Sequence, residues 1–177
     1  AEEELRKSEE KYRTLFHQSM EGIYIHDFEG RVLDVNDIAC SQSGYSREEW
    51  LGQTVFDGQS DSTTNMKRDD VINAWSKWKP GQRFVLQSEH RKKDGTVYPV
   101  EVSTGKVSYG NENVLLAIVK DITEQKKAEI ALQKSEQNYR EIFNSTTEAI
   151  FVYDSETGAI LDANESGLLL YGYTYDE

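Results

Sequence analysis

The chain copies itself, and no other feature of the sequence restricts its fold as much. Residues 5–16 read LRKSEEKYRTLF and residues 132–143 read LQKSEQNYREIF. Residues 21–27 (EGIYIHD) align with 148–154 (EAIFVYD), and after one inserted residue 30–36 (GRVLDVN) align with 158–164 (GAILDAN). Gly44-Tyr45 then meets Gly172-Tyr173, and Glu177 is the counterpart of Glu49. Two stretches that repeat in this order encode the same supersecondary unit twice. The expected organisation is an N-terminal helix (1–19), one full domain (20–123), a helical linker (124–145) and the opening of a second domain (146–177). On this reading the segment is cut from a longer protein that carries the output activity. Strands of a shortened copy would be a pairing hazard.

Composition narrows the class. Hydrophobic residues make up 37% of the 177 residues and aromatics 11%, enough to fill a core. The net charge of -12 opposes phosphate backbones and anionic lipid, so neither nucleic acid nor a membrane surface is an expected partner. The single cysteine, Cys40, permits no internal disulfide and no CxxC metal knuckle, and reads as a small apolar residue. No run approaches the roughly 18 apolar residues of a spanning helix. The acidic N-terminus lacks the apolar core of a signal peptide. The segment is expected to be soluble and cytoplasmic, with any membrane attachment elsewhere in the parent protein.

The periodicity gives a helix over 2–16, with Leu5, Ser8, Tyr12 and Leu15 on one heptad seam. Residues 23–25 and 31–35 form a hairpin around the turn at 27–30. Asn36 and Asp37 can cap a helix over 38–43 that Gly44 ends. Ser46 and Glu49 spell a capping box before Trp50 and Leu51. Residues 56–65 read as loop. Residues 66–78 place Val71, Ile72, Trp75 and Trp78 on one apolar helical face, and Pro80-Gly81 terminates it. The period then changes to two: strands over 84–91, 97–109 and 114–119, with turns at 93–96 and 110–113. Pro99 predicts an edge or a bulge. Segregated helices and antiparallel strands make the class α+β.

Several of these residues are familiar in this order. Asp34-Val35-Asn36 and the run from Gly44 to Gly52 (GYSREEWLG) resemble the N-terminal half of PAS domains. Residues 91–96 (RKKDGT) resemble the hairpin of their C-terminal half, often called PAC (about 82–123). Residues 117–124 (AIVKDITE) resemble the closing strand and exit. The resemblance implies a five-stranded antiparallel sheet of order 2-1-5-4-3, with short helices and a cavity on one face and flanking amphipathic helices. Such domains belong to signal-transduction proteins of bacteria and archaea, histidine kinases and cyclic-dinucleotide enzymes among them. It also implies that Asp121, Ile122 and Thr123 form the joint through which the sheet signals to the helix that follows. By elementary chemistry Asp121 or Thr123 is a helix cap.

In the linker, Ala128, Leu132, Ser135, Tyr139 and Ile142 repeat the seam of the first helix. A homodimer through a parallel coiled coil is expected, with packing of each helix on its own domain as the alternative. Trp75, Trp78, Arg83, Gln87, His90 and Tyr98 are the candidate cavity residues. Haem is disfavoured, because the helix before the third strand has no histidine. Covalent flavin is disfavoured too, since Cys40 is on the wrong helix. Non-covalent flavin stays open through Trp75, which stands where flavin-binding redox PAS domains often carry a tryptophan. His17, His26 and His90 lack metal-ligand spacing and are expected at the surface or half-buried. Asp27 and Asp34 read as turn and cap residues, and no phosphate loop, HExxH or nucleophile elbow is present. Three functions follow: a non-catalytic small-molecule sensor and relay to a downstream output domain, a ligand-free dimerisation scaffold, or a flavin redox sensor.

Overall fold

A computed structural model describes residues 2–60, 67–109 and 112–174, apart from the Leu5 side chain. The chain divides into two units, Ala1–Glu124 and Gln125–Glu177.

The first unit begins with helix α1 (Glu2–His17) and the antiparallel pair β1 (Gly22–His26) and β2 (Val32–Val35). Three short helices follow, α2 (Asp37–Ser43), α3 (Arg47–Trp50) and α4 (Arg68–Ser76), then strands β3 (Arg83–Arg91), β4 (Val97–Tyr109) and β5 (Glu112–Asp121). The strands form one antiparallel sheet in the order β2-β1-β5-β4-β3, the order the resemblance implied.

Period-two alternation explains its two faces. Tyr24, Val32, Val35, Tyr98, Val100, Ala117 and Val119 of the sheet pack with Ala39 and Trp50 from the helical layer. Ile25 and Val114 turn outward and are covered by Phe16 near the end of α1. Burying nine such side chains on the inner face supplies the largest share of the folding free energy, about 1.5–3 kcal/mol for each large apolar group.

Local chemistry fixes the helix ends. Asn36 is the N-cap of α2 and accepts from the Ala39 amide; Gly44, at φ 77°, closes the helix in the left-handed conformation. Ser46 and Glu49 form the capping box of α3 with both reciprocal bonds in place. Helix α4 is shorter than the pattern 66–78 suggested: Trp78 lies beyond its last residue, and Met66, like residues 61–65 of the expected loop, is outside the described residues. Of the expected turn at 110–113, Glu112 and Asn113 already belong to β5, and the other two residues are not described.

Pro99 departs from expectation. It causes neither an edge nor a bulge: β4 is an interior strand, and its pairing with β3 runs in unbroken register from Arg83↔Gly105 to Arg91↔Val97. The Pro99 carbonyl accepts from the Ile122 amide, so the proline nitrogen also faces the β5 side, where that strand has ended. No ladder bond is lost there.

The second unit contains most of helix α5 (Thr123–Ser145), a two-stranded pair β6 (Phe151–Tyr153) and β7 (Ile160–Ala163), and helix α6 (Glu165–Tyr171). It reproduces the central hydrogen bonds at the start of the first unit, and adds one from Asn164 Nδ2 to Thr146 Oγ1 (3.0 Å). Asn36 Nδ2 donates to the carbonyls of Phe16 (3.0 Å) and Glu21 (2.9 Å) while Oδ1 accepts from the amides of Ile23 (2.8 Å) and Ala39 (2.9 Å). Asn164 Nδ2 donates to the carbonyls of Phe143 and Glu148, and Oδ1 accepts from Ile150 and Gly167. Both asparagines are fully buried.

Candidate ligand cavity and relay strand

Between the inner sheet face and the helices of the first unit lies a cavity of about 540 Å³. That volume is within the range of small-molecule sites. Its wall is mostly aromatic and aliphatic, and the floor comes from β1, β5, β4 and β3.

At one end Trp75 stacks on Phe56 (ring centroids 5.5 Å, 26°) and meets the His26 ring at 5.0 Å. His26 is 1% exposed, against the expectation of a surface or half-buried residue, because inward residues of β1 lie beneath α4. His26 Nδ1 lies 2.8 Å from the Asp27 carbonyl, which can only accept; the proton is therefore on Nδ1. Burial lowers the His26 pKa, which keeps the ring neutral and leaves Nε2 as an acceptor.

The centre of the wall is closed upon itself. Trp50 Nε1 donates to Ser43 Oγ (2.9 Å), which donates to the Ala39 carbonyl (2.7 Å). Tyr24 packs edge-on against Trp50 at 5.2 Å, and burial raises its phenol pKa well above the usual range. At the far end His90 and Tyr98 face each other across β3 and β4, T-shaped at 6.2 Å. Burial brings the His90 pKa down to about 4 and, with the nearby Asp121 carboxylate, raises that of Tyr98 to about 12.

Four of the six candidate cavity residues line this space: Trp75, Trp78, His90 and Tyr98. Arg83 and Gln87 do not. Phe84, Leu86, Ser88 and His90 take the inward positions of β3, so period two turns Arg83 and Gln87 to the other side, where both are exposed. Sequence reasoning missed His26, Phe56 and Ser88. The alternation Phe84-Leu86-Ser88-His90 was the available signal for Ser88; Phe56 comes from a loop without periodicity.

The floor strand β5 leads straight to the relay residues. Ala117 and Val119 line the cavity, and Ile122, 2% exposed, anchors the strand end in the core. Asp121 Oδ1 accepts from the Thr123 amide (2.8 Å) at the first residue of α5. It satisfies the first amide of α5 from one residue ahead of the N-cap position, with the side-chain oxygen of Asp121 and not that of Thr123. Asp27 has the expected turn role, accepting from the amides of Glu29 and Arg31. Asp34 instead pairs with Arg47 at 2.9 Å.

On the flanking helices, Tyr12 stacks on Phe16 (5.4 Å) and reaches Tyr109 of β4 (6.2 Å), so it packs on its own domain as well as facing solvent. Tyr139 stacks likewise on Phe143 at 5.2 Å. Leu15, Leu132 and Ile142 are largely exposed, and the Leu5 side chain lies outside the described residues. Among the described residues no helix is long and apolar enough to cross a membrane, and no cluster of three metal-ligating side chains occurs.

An antiparallel 2-1-5-4-3 sheet with a helix-roofed cavity and a capped exit helix defines an α+β sensory domain. The chain belongs to the PAS domain family: one PAS domain model matches residues 20–124 and a second matches 137–177. It is 29% identical to the methyl sulfide methyltransferase-associated sensor of Methanosarcina acetivorans, over 98% of this chain and 19% of that protein. Similarity to sporulation kinase E of Bacillus subtilis is 25%, over 96% of this chain and 22% of the relative. The chain thus spans about a fifth of each of these relatives. Among solved structures, a PAS domain of an HTR-like protein from Haloarcula marismortui superposes with a TM-score of 0.60 at 26% identity, covering 68% of this chain and 97% of that one. These likenesses support a general role in sensing and signal relay.

Proposed function

We propose that residues 20–123 sense a small molecule in the cavity and pass the change through Asp121, Ile122 and Thr123 into α5, towards an output domain of the same polypeptide. One observation carries this: β5 is at once the cavity floor, through Ala117 and Val119, and the strand whose end caps α5. A ligand pressing on the floor moves the cap, and a cap that strengthens or weakens biases the helix it starts. Trp75, Trp78, His90 and Tyr98 are the proposed ligand contacts. The segment itself is read as regulatory, with catalysis elsewhere in a cytoplasmic signalling protein such as a histidine kinase. The exposed Leu15, Leu132 and Ile142 support a homodimer through the flanking helices. Trp75 is engaged by Phe56 and His26, which weighs against a flavin sandwiched on its ring.

Native mass spectrometry with an absorbance spectrum on freshly purified protein tests the sensing half. A co-purified small molecule supports it; clean apo protein that no small-molecule library stabilises would leave only a dimerisation scaffold. For the relay, Asp121→Ala should speed amide exchange in the first turn of α5 by about fivefold, as loss of a cap worth about 1 kcal/mol implies. Unchanged exchange there would remove the joint.

A further inference from the structure

One end of the cavity holds polar side chains with nothing to bond to. Ser88 and Tyr98 are 8% and 4% exposed, and His90 is in register with Tyr98 across the strand pair. All three line the cavity, and none of their side chains hydrogen-bonds to any described residue. Their polar atoms open onto the cavity instead of being sealed in the core, so they are free to bond whatever occupies it. The contrast lies within the same wall, where the Trp50, Ser43 and Tyr24 polar atoms are all paired with protein.

The charges at this end do not select an ion. The Lys92 ammonium lies over the Tyr98 ring at 4.9 Å, while the Asp121 carboxylate acts on the same phenol from the other sign. Arg91 reaches the wall but already has a partner. The remaining groups are two hydroxyls and an imidazole that burial keeps neutral at physiological pH, so each both donates and accepts. The rest of the lining is mainly apolar, Leu86, Phe84, Trp78 and Trp75 among it, with His26 and Arg68 at the opposite end beside Trp75 and Phe56.

We infer that the ligand is an uncharged amphiphile, with a hydroxyl- or amide-type head received by Ser88, His90 and Tyr98 and an aromatic or aliphatic body against Leu86, Phe84 and the tryptophans. This inference rests on the cavity being a ligand site and names the class of ligand. A charged head at this end would meet charges of both signs, Lys92 and Asp121, and gain from neither alone, whereas a neutral head exchanges water for three partners.

Four probes that share one body test it by calorimetry and thermal shift on the full chain at pH 7.5: butylbenzene, 4-phenylbutan-1-ol, 4-phenylbutanoate and 4-phenylbutylammonium. The alcohol should bind about tenfold tighter than the other three. The double variant S88A/Y98F should bring the alcohol down to the affinity of butylbenzene while leaving butylbenzene unchanged. If that variant does not fold, Y98F alone should cost the alcohol about threefold. Butylbenzene or the carboxylate binding as tightly as the alcohol would overturn the head-group inference and leave the cavity reading standing. No response to any of the four would remove the cavity reading and this inference with it.

Discussion

Replacing Asn36 with alanine removes one side chain and strands four backbone groups. The amides of Ile23 and Ala39 lose their acceptor, and the carbonyls of Phe16 and Glu21 lose their donor. At 0% exposure no bulk water replaces them. An unsatisfied buried group costs about 1–3 kcal/mol, and loss of the α2 cap is part of the same sum. Allowing for a water entering the space, Asn36→Ala should cost about 3–5 kcal/mol, a large share of a typical domain's 5–15. Asn36→Asp keeps the acceptor for both amides but turns a lone pair on each carbonyl and buries a charge; it should cost as much at neutral pH. The assay is urea denaturation followed by tryptophan fluorescence. Trp50, Trp75 and Trp78 are the chain's three tryptophans and all lie in the first unit, so the signal reports that unit alone. Asn164→Ala, the same change in the repeat, should leave this transition where it is. A loss below about 1 kcal/mol for Asn36→Ala, at unchanged slope, would refute the reasoning that these four bonds hold α1, β1 and α2 together.

Trp50→Phe keeps most of the ring but removes the donor to Ser43, and should lower stability by about 1–2 kcal/mol in the same assay. Gly30 adopts φ 86°, and a Cβ there would come within 2.6 Å of the Phe56 ring; Gly30→Ala should cost about 2 kcal/mol and shift the melting temperature down by several degrees. His26 and His90 have folded pKa values below the ordinary 6.5, so the unfolded chain binds more protons on acidification; stability should fall as pH drops from about 6.5 towards 4, by about 1–2 kcal/mol between pH 7 and 5. Denaturation of H90Q across that range should give a shallower slope, and an identical slope would exclude His90 as its source.

The fold was legible because its signals are local. The capping box at Ser46 and Glu49, the cap at Asn36 and the glycine at 44 are each set by side-chain chemistry within a few residues, and each formed where the pattern placed it. Strand order came from resemblance, since pairing β1 with β5 joins residues about a hundred apart and leaves no local trace. The cavity was half legible. Trp75 and Trp78 stand out as aromatics on a helical face, whereas the polarity that marks Arg83 and Gln87 says nothing of the alternation that turns them away. Pro99 misled for a related reason: its cost depends on where β5 ends, which the residues around position 99 do not encode.

The doubled opening of the chain has a consequence for its history. The frame is common to both copies: Asn36 and Asn164 share four bonds, and Gly44 and Gly172 end their helices in the same left-handed turn. The lining is not. Tyr24, His26 and Ser43 of the first copy correspond to Phe151, Tyr153 and Tyr171 of the second, where Phe151 and Tyr171 pack edge-on at 5.5 Å. A hydroxyl has been lost, an imidazole exchanged for a phenol, and a small side chain replaced by a ring. The positions that answer to the backbone are thus the same in both copies and those that answer to the interior differ, so the two are siblings in architecture and not spares of one another.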